Sequence, residues 1–194
     1  MIWIKFCGLR SAADVAAAVL AGANAVGFVT AEGSPRQVSP SEVAGYSAGC
    51  SIERFLVTLN QTPDDLLDAV GVAGVTGVQP HGEHSREAAT AALQAGLKVL
   101  FPIPIGEGAK ESVAPPGSMP ILDSINPGSG VRFDPTMIPY LPDRFVVAGG
   151  LTPENVREVA IDLDPYGVDV SSGIESEPGV KEADLMTRFV EALR

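Results

Sequence analysis

Residues 145–153 read FVVAGGLTP, and this segment shows the pattern that the rest of the chain repeats. Its apolar, partly β-branched run, Phe145–Ala148, predicts a buried strand, and Gly149-Gly150 predicts a tight turn directly after it. Thr152-Pro153 then has the pattern of a helix start, a capping side chain followed by proline. The stretch therefore predicts a strand that leads straight into a helix.

The same strand-then-helix pattern recurs from one end of the chain to the other. Short β-branched runs that alternate with helical patterns are typical of parallel βα units. No linker interrupts the alternation, so we predict one α/β domain, residues 1–194, that closes into a (β/α)8 TIM barrel. The eight predicted strands are Ile2–Phe6, Ala25–Val29, Glu53–Leu59, Val75–Gln79, Leu97–Phe101, Pro120–Asp123, Phe145–Ala148 and Gly167–Ser171.

Helix start signals follow most of these strands, and the fifth unit is the exception. The prolines after Phe101 and the run Pro115-Pro116-Gly117 predict a short or missing fifth helix. A doubly wound open sheet is the alternative, but the first strand–helix turn, Cys7-Gly8-Leu9-Arg10, lacks a G-x-G-x-x-G fingerprint. The predicted helix starts are Ser11 with Asp14, Ser39-Pro40 with Glu42 as a capping box, Thr62-Pro63, Asp134-Pro135 and an Ala-rich helix from Ser85.

Composition excludes several classes of function. The net charge of −11 over 194 residues argues against a nucleic-acid partner, which would need a basic face. No apolar run reaches membrane-spanning length and no leader pattern precedes Lys5, so we expect no membrane partner. The two cysteines, Cys7 and Cys50, have neither metal-site nor disulfide spacing, and we expect reduced thiols in the cytoplasm.

The candidate chemistry lies at the carboxyl ends of the strands, where barrel enzymes carry their active sites. Alternation along the first strand turns Lys5 and Cys7 into the barrel, with Cys7 at its rim. A lone cysteine is most often a small buried apolar residue, but a thiol near a lysine and a helix start could be a low-pKa thiolate. Asp123 ends the sixth strand, where it either caps a turn or faces Cys7 as the acid of a base–acid pair.

Other candidates line the same rim. Arg36 in the second loop is either a solvated side chain or a two-point binder of a carboxylate. Two glycine- and serine-rich loops, Gly149-Gly150 and Ser171-Ser172-Gly173, stand in the seventh and eighth positions, where barrels often bind phosphate. Asp169 should pair with the buried charge of Lys5, a structural role in our interpretation.

The two histidines make a poor metal site. His81, at the end of the fourth strand, is expected to line the pocket, and His84 to lie on the surface. We therefore predict no metal site, and the seventh and eighth loops predict a small phosphorylated molecule as the ligand. Cys50 we interpret as structural.

Six segments together resemble the phosphoribosylanthranilate isomerase family along nearly the whole chain. Each lies at the expected strand, in the expected order, which makes the set far more specific than any single motif. The segments are Lys5-Phe6-Cys7-Gly8; Gly27-Phe28-Val29 with Ser34-Pro35-Arg36; Val78-Gln79-Pro80-His81-Gly82; Leu122-Asp123 with Gly128-Ser129-Gly130; Gly149-Gly150-Leu151 with Asn155-Val156; and Val168-Asp169-Val170-Ser171-Ser172-Gly173-Ile174-Glu175.

This resemblance implies a set of roles. Cys7 would be the general base and Asp123 the general acid of an Amadori rearrangement, and Arg36 would hold the anthranilate carboxylate. The seventh and eighth loops would hold the phosphate, and the rearrangement would need no metal and no other cofactor. Independently of the resemblance, we place His81 and Asp169 among the substrate-binding residues. The sequence departs from the family at Val131, where a lysine is usual and Arg132 follows, and at Pro80, where the family has an apolar residue.

Three other functions compete with this one. The related histidine-pathway isomerase pairs two aspartates, whereas this chain has a cysteine at position 7. Indole-glycerol-phosphate synthase needs a longer amino-terminal extension and a lysine–glutamate set that the sequence lacks. A non-catalytic phosphate-binding barrel is favoured only by the altered sixth loop. The sequence leaves open whether the protein is a monomer or a homodimer.

Overall fold

Eight parallel strands form a closed barrel in sequence order, as the sequence predicts. The computed structural model describes residues 2–105, 113–124 and 141–194. Strands β1 and β8 close the barrel in a parallel pairing that sets Lys5 beside Asp169. The strands are β1 Trp3–Cys7, β2 Ala25–Val29, β3 Glu53–Leu59, β4 Gly77–His81, β5 Lys98–Ile105, β6 Met119–Ser124, β7 Val146–Ala148 and β8 Gly167–Val170.

Helices connect most of the strands, and three of them begin where the capping signals predict. Ser11 accepts a hydrogen bond from the Asp14 amide, Ser39 and Glu42 form the predicted capping box, and Thr62 caps a helix whose first residue is Pro63. Side chains of this type satisfy amide groups that the first helical turn leaves unpaired. The helices are α1 Ala12–Ala21, α2 Pro40–Tyr46, α3 Pro63–Ala73, α4 Ser85–Gln94, α5 Val156–Leu163 and α6 Ala183–Ala192.

Several strand boundaries differ from prediction by one residue or two, and two strands end two or more residues later than predicted, both at prolines. Strand β4 runs on through Pro80 to His81 instead of ending at Gln79. Strand β5 continues past Phe101 to Ile105, pairing with β6 over its full extension, whereas its pairing with β4 stops at Val99. Since alternate residues of a strand direct their amides to opposite edges, Pro102 and Pro104 remove donors from one edge only. The amides that face β6 are retained, so β5 stays paired with β6 in spite of its two prolines.

The start of α5 was also predicted wrongly. Thr152-Pro153 does not begin the helix, which starts at Val156. The Asn155 side chain folds back to accept a hydrogen bond from the Thr152 amide, and the Glu154 amide donates to the Thr152 hydroxyl. Such local bonds stabilise a turn in competition with the first helical turn.

The fifth and sixth connections are only partly described. Residues 113–118, which lead into β6, contain no helix. The rest of the predicted short fifth unit, the Asp134-Pro135 cap and the whole altered sixth loop lie outside the described residues.

Apolar side chains fill two layers, one between barrel and helices and one inside the barrel. Ile4 and Phe6 of β1 belong to the outer layer, as the alternation predicts. The inner layer includes Phe55, Leu100 and Ile121. Lys5 is fully buried among the strands, with Asp169 and Gln79 beside it. None of the helices that the structure describes is long and apolar enough to cross a bilayer.

The chain makes an excursion after β8 that the sequence analysis missed. A short 3-10 helix, Ser172–Ile174, is followed by an antiparallel hairpin of β9, Glu175–Glu177, and β10, Val180–Lys181. The turn between them contains Pro178-Gly179, a pair that marks turns and could have revealed the hairpin. This hairpin delivers two charged residues to the rim of the barrel.

Candidate active site

A cavity of about 170 Å³ opens at the carboxyl ends of the strands. Eight of the ten predicted site residues are among the described residues that line it. The other two, Arg36 and Gly173, are not among them. Val57 and Gln79 also line it, and the inward alternation of β3 and β4 could have identified both. The eight are Cys7, His81, Asp123, Gly149, Gly150, Asp169, Ser171 and Ser172.

Cys7 and Asp123 reach this cavity from well-separated strands of the closed barrel. Cys7 is the last residue of β1 and Asp123 the penultimate residue of β6. Strands β7 and β8 lie between them on one side and β2 to β5 on the other. Cys7 is only 7% exposed, and Asp123 is half-buried. A thiol and a carboxyl group therefore face one space from two walls, as the sequence predicts.

A buried cation stands beneath the thiol. Lys5 Nζ donates to Asp169 Oδ1 and to Gln79 Oε1, both at 2.9 Å. A side chain at Gly27 would approach Cys7 Sγ and Lys5 Nζ about equally, at 3.0 and 3.1 Å, which places both groups over the same part of β2. Burial alone would lower the pKa of Lys5, but Asp169 and Cys7 outweigh it and raise the pKa. Lys5 is therefore a permanent ammonium inside the barrel.

Replacing Lys5 with methionine should lower the free energy of unfolding by about 3–5 kcal/mol, because Asp169 would remain as a buried, uncompensated carboxylate. Denaturant unfolding measures the change. Lys98→Met is the matched control: its ion pair with Glu53 is largely exposed, so about 0–1 kcal/mol is expected. The added change Asp169→Asn should recover part of the loss. A Lys5→Met protein as stable as the Lys98→Met control would contradict the pairing.

The structure does not support a low-pKa thiolate at Cys7. Burial raises the pKa of Cys7 above its usual value, and the nearby Asp169 carboxylate adds to the rise. Lys5 and Lys181 act in the opposite direction. Burial wins because Cys7 lies deeper than a residue at an open rim, so the thiol is protonated at neutral pH.

A hydrogen-bonded chain continues from Lys5 to His81. Since Gln79 Oε1 accepts from Lys5, the Gln79 amide nitrogen is the donor in its 3.2 Å contact with His81 Nε2. His81 Nε2 must then be the acceptor, which puts the imidazole proton on Nδ1. Burial, with a smaller contribution from Lys5, lowers the pKa of His81 to about 4. His81 is thus a neutral polar group on the cavity wall.

We expect this neutral histidine to make the fold sensitive to mild acid. Because the pKa of about 4 in the folded protein lies below the usual histidine value of 6.5, the unfolded chain binds the proton first, and stability falls as the pH falls through that window. The loss should be of the order of 1–3 kcal/mol. Urea unfolding at pH 7 and pH 4.5 should show a smaller loss for His81→Gln than for the unmodified protein. His84→Gln, which removes the chain's other histidine, should keep the full loss; equal losses in all three proteins would contradict the assignment.

Arg36 has a protein partner that sequence reasoning missed. Its Nε donates to Glu175 Oε1 at 2.8 Å and its Nη2 to Glu175 Oε2 at 2.6 Å. Lys181 Nζ donates to the same Glu175 Oε1 at 2.7 Å. On sequence alone Glu175 belongs only to a motif and Lys181 to none, because their contact with Arg36 depends on the hairpin after β8. We call these three residues the Arg36–Glu175–Lys181 cluster.

The seventh and eighth loops meet above β7 and β8. Gly173 lies so close to the Leu151 carbonyl that any side chain there would overlap it. The Asn155 side-chain amide donates to the Gly150 carbonyl, which fixes the seventh loop. The 3-10 helix begins at Ser172 on the cavity wall. Glycine backbones and serine hydroxyls converging in this way can donate several hydrogen bonds to an anion.

Acidic, cysteine and histidine side chains do not gather into a metal site here. No group of three or more such side chains has the geometry to hold a metal ion within residues 2–105, 113–124 and 141–194. What the cavity does hold is a thiol, a carboxyl group, a neutral histidine and two glycine-rich loops. Such groups can transfer protons to and from an anionic ligand that the loops hold.

Comparison with known proteins gives the family. The family model described as N-(5'phosphoribosyl)anthranilate (PRA) isomerase matches residues 4–192. The chain belongs to the phosphoribosylanthranilate isomerase family. The phosphoribosylanthranilate isomerase of Rubrobacter xylanophilus is 36% identical over 206 residues, which cover all of both chains.

Solved structures of the phosphoribosylanthranilate isomerase family agree with the barrel. The enzyme of Thermus thermophilus superimposes with a TM-score of 0.88 at 32% identity, over 99% of this chain and 98% of that one. A phosphoribosyl anthranilate isomerase in complex with reduced 1-(o-carboxyphenylamino)-1-deoxyribulose 5-phosphate has a TM-score of 0.83 at 28% identity, covering 100% of this chain and 98% of that one. The family's sixth-loop lysine position, Val131 here, and the neighbouring Arg132 fall outside the described residues.

Proposed function

We propose that this protein is an N-(5'-phosphoribosyl)anthranilate isomerase of tryptophan biosynthesis. It converts phosphoribosylanthranilate into 1-(2-carboxyphenylamino)-1-deoxyribulose 5-phosphate within one catalytic domain, residues 1–194. The observation that carries the proposal is the pair of Cys7 and Asp123 on two walls of one cavity, beside the glycine-rich loops. The family match over nearly the whole chain supports it.

The acid half of the reaction belongs to Asp123. Its carboxyl group gives a proton to the ribose ring oxygen while the C1–oxygen bond breaks, and the anthranilate nitrogen supplies the electron pair that makes the iminium. The iminium formed on the substrate's own nitrogen is the electron sink of the next step, so the chemistry calls for no cofactor.

The base half belongs to Cys7. The thiolate takes the proton from C2 of the open sugar, and the electrons of that bond neutralise the iminium to give an enolamine. The enolamine gains a proton at C1 and loses its 2-hydroxyl proton, which yields the aminoketose. Returning the proton from Cys7 to Asp123 through solvent completes the cycle. Because burial raises the pKa of Cys7, the opposing cations Lys5 and Lys181 are what make the thiolate accessible.

Substrate recognition divides among the remaining residues. The seventh and eighth loops, with Gly149, Gly150, Ser171, Ser172 and Gly173, bind the phosphate, and Arg36 binds the anthranilate carboxylate. His81 offers a neutral polar contact, and Asp169 acts from below through Lys5. Both cysteines are free thiols, and a catalytic Cys7 must stay reduced, which favours a cytoplasmic location. For the oligomeric state, the prediction stays either a monomer or a homodimer.

The decisive experiment is an assay of the purified protein on phosphoribosylanthranilate, with the histidine-pathway aminoaldose as the control substrate. We expect turnover of the first. Turnover of the control alone would establish the histidine-pathway alternative, and tight binding of the product without turnover of either would establish the non-catalytic barrel. The residues present do not favour either alternative. The histidine-pathway isomerase would need an aspartate at position 7, and a non-catalytic barrel would need neither Cys7 nor Asp123.

A further inference from the structure

The Arg36–Glu175–Lys181 cluster carries an inference that rests on the proposed function. We propose that Glu175 is a positioning residue, which holds the Arg36 guanidinium so that its remaining edge is ready for the carboxylate of the aromatic substrate. Lys181 in turn holds Glu175. The selectivity for a carboxylated aromatic ring would then depend on a residue that need not touch the substrate.

The hydrogen-bond geometry shows which edge of the guanidinium remains. Arginine has five N–H donors in one plane, and Glu175 takes one from Nε and one from Nη2. Nη1 has no acceptor within the described part of the chain. Three donors therefore remain, and two of them share the Nη1–Nη2 edge, which is enough for a second two-point pair with a carboxylate.

Arg36 is fixed in position as well as in orientation. Its side chain runs across Gly8, where a Cβ atom would lie 2.5 Å from Arg36 Cδ. The hairpin also packs closely against the residue before Arg36, since a Cβ atom at Gly179 would lie 2.5 Å from the Pro35 carbonyl oxygen. The arginine is thus held between the end of β1, next to Cys7, and the hairpin that carries Glu175.

Burial makes this arrangement rigid. The side chain of Arg36 is 22% exposed, that of Glu175 4% and that of Lys181 1%. Lys181 Nζ also donates to the Ser171 carbonyl at 2.9 Å and lies 3.3 Å from its hydroxyl, so it joins Glu175 to the end of β8. Burial alone would raise the pKa of Glu175, but Arg36 and Lys181 together outweigh burial and hold that pKa below its usual value. The carboxylate is therefore ionised.

A held arginine has a thermodynamic advantage over a free one. An unrestrained arginine side chain loses rotamer entropy when it binds a ligand. Glu175 removes most of that freedom before the substrate arrives, so less is lost on binding. Removing the negative charge of Glu175 should therefore weaken binding of a carboxylated ligand more than binding of the same ligand without the carboxylate.

The test compares two inhibitors on Glu175→Gln and the unmodified enzyme. One is the reduced product, 1-(2-carboxyphenylamino)-1-deoxyribitol 5-phosphate, and the other is the same molecule with a plain phenyl ring. The unmodified enzyme should prefer the carboxylated inhibitor, and Glu175→Gln should reduce that preference about tenfold or more. Its affinity for the plain inhibitor should change by less than about twofold. Glu177→Gln, an exposed glutamate on the same strand β9, is the matched control and should behave like the unmodified enzyme.

Each other outcome has a definite meaning. An unchanged preference in Glu175→Gln, or an equal loss of affinity for both inhibitors, would overturn the positioning role. Failure of the unmodified enzyme to turn over phosphoribosylanthranilate would instead overturn the proposed function on which the inference rests. If Glu175→Gln does not fold, Glu175→Asp takes its place: it keeps the charge but moves the carboxylate back by one methylene group, and its preference should fall while its affinity for the plain inhibitor is retained.

Discussion

Replacing Cys7 with alanine is expected to lower turnover of phosphoribosylanthranilate by about a hundredfold or more, since general base catalysis supplies a factor of this size. The barrel should stay folded, because the change removes one small buried atom and leaves the Lys5–Asp169 pair intact. Steady-state kinetics and circular dichroism measure the two properties. Cys50→Ala, which removes the other free thiol, is the matched control and should retain normal turnover. A near-normal rate in Cys7→Ala would reject the mechanism.

The pH dependence of the unmodified enzyme tests the same thiol without a mutation. The profile of kcat/KM reports ionisations of the free enzyme. Since burial raises the pKa of Cys7, the thiolate fraction grows as the pH rises, and kcat/KM should rise with it above neutral pH. A profile that is flat from pH 6 to pH 9 would show that Cys7 does not act as the base from its protonated resting state.

The parts of the fold that the sequence predicts are those governed by local rules. Alternation on β1 correctly turned Lys5 and Cys7 inward and Ile4 outward, because side chains of a strand must alternate between its faces. Barrel closure then required β8 to lie beside β1, which put Asp169 next to Lys5. From these two rules alone, the cation beneath the thiol was predictable.

The errors have a common physical origin in competition between local and distant partners. Pro102 and Pro104 lower strand propensity, yet β6 pairs with their strand through the edge that prolines leave intact. Thr152 lies in a turn and not at the start of a helix, because its amide donates to the Asn155 side chain and its hydroxyl accepts from the Glu154 amide. Arg36 meets Glu175 across 139 residues of chain, a pairing that no periodicity or motif spacing encodes. The depth of Cys7, which raises its pKa, is likewise set by the packing of the whole rim.

Replacing Asp123 with asparagine should lower turnover about as strongly, again by a hundredfold or more, because the amide cannot protonate the ring oxygen as the ring opens. Asparagine preserves the volume of the carboxyl group, so the fold should persist. Asp68→Asn, a change to an exposed aspartate on α3, is the matched control and should leave turnover unchanged. Loss of activity in both variants would point to a general effect on the fold rather than to an acid.

Substrate deuterated at C2 separates the role of Asp123 from that of Cys7. In Asp123→Asn, ring opening is the slow step, and it comes before the C2–hydrogen bond breaks, so the isotope effect on kcat/KM should shrink toward one. In Cys7→Ala, breaking that bond becomes the slow step, and the isotope effect should be fully expressed. The two variants thus lose comparable activity for different reasons. The reverse pattern would exchange the acid and the base while leaving the same two residues in the same cavity.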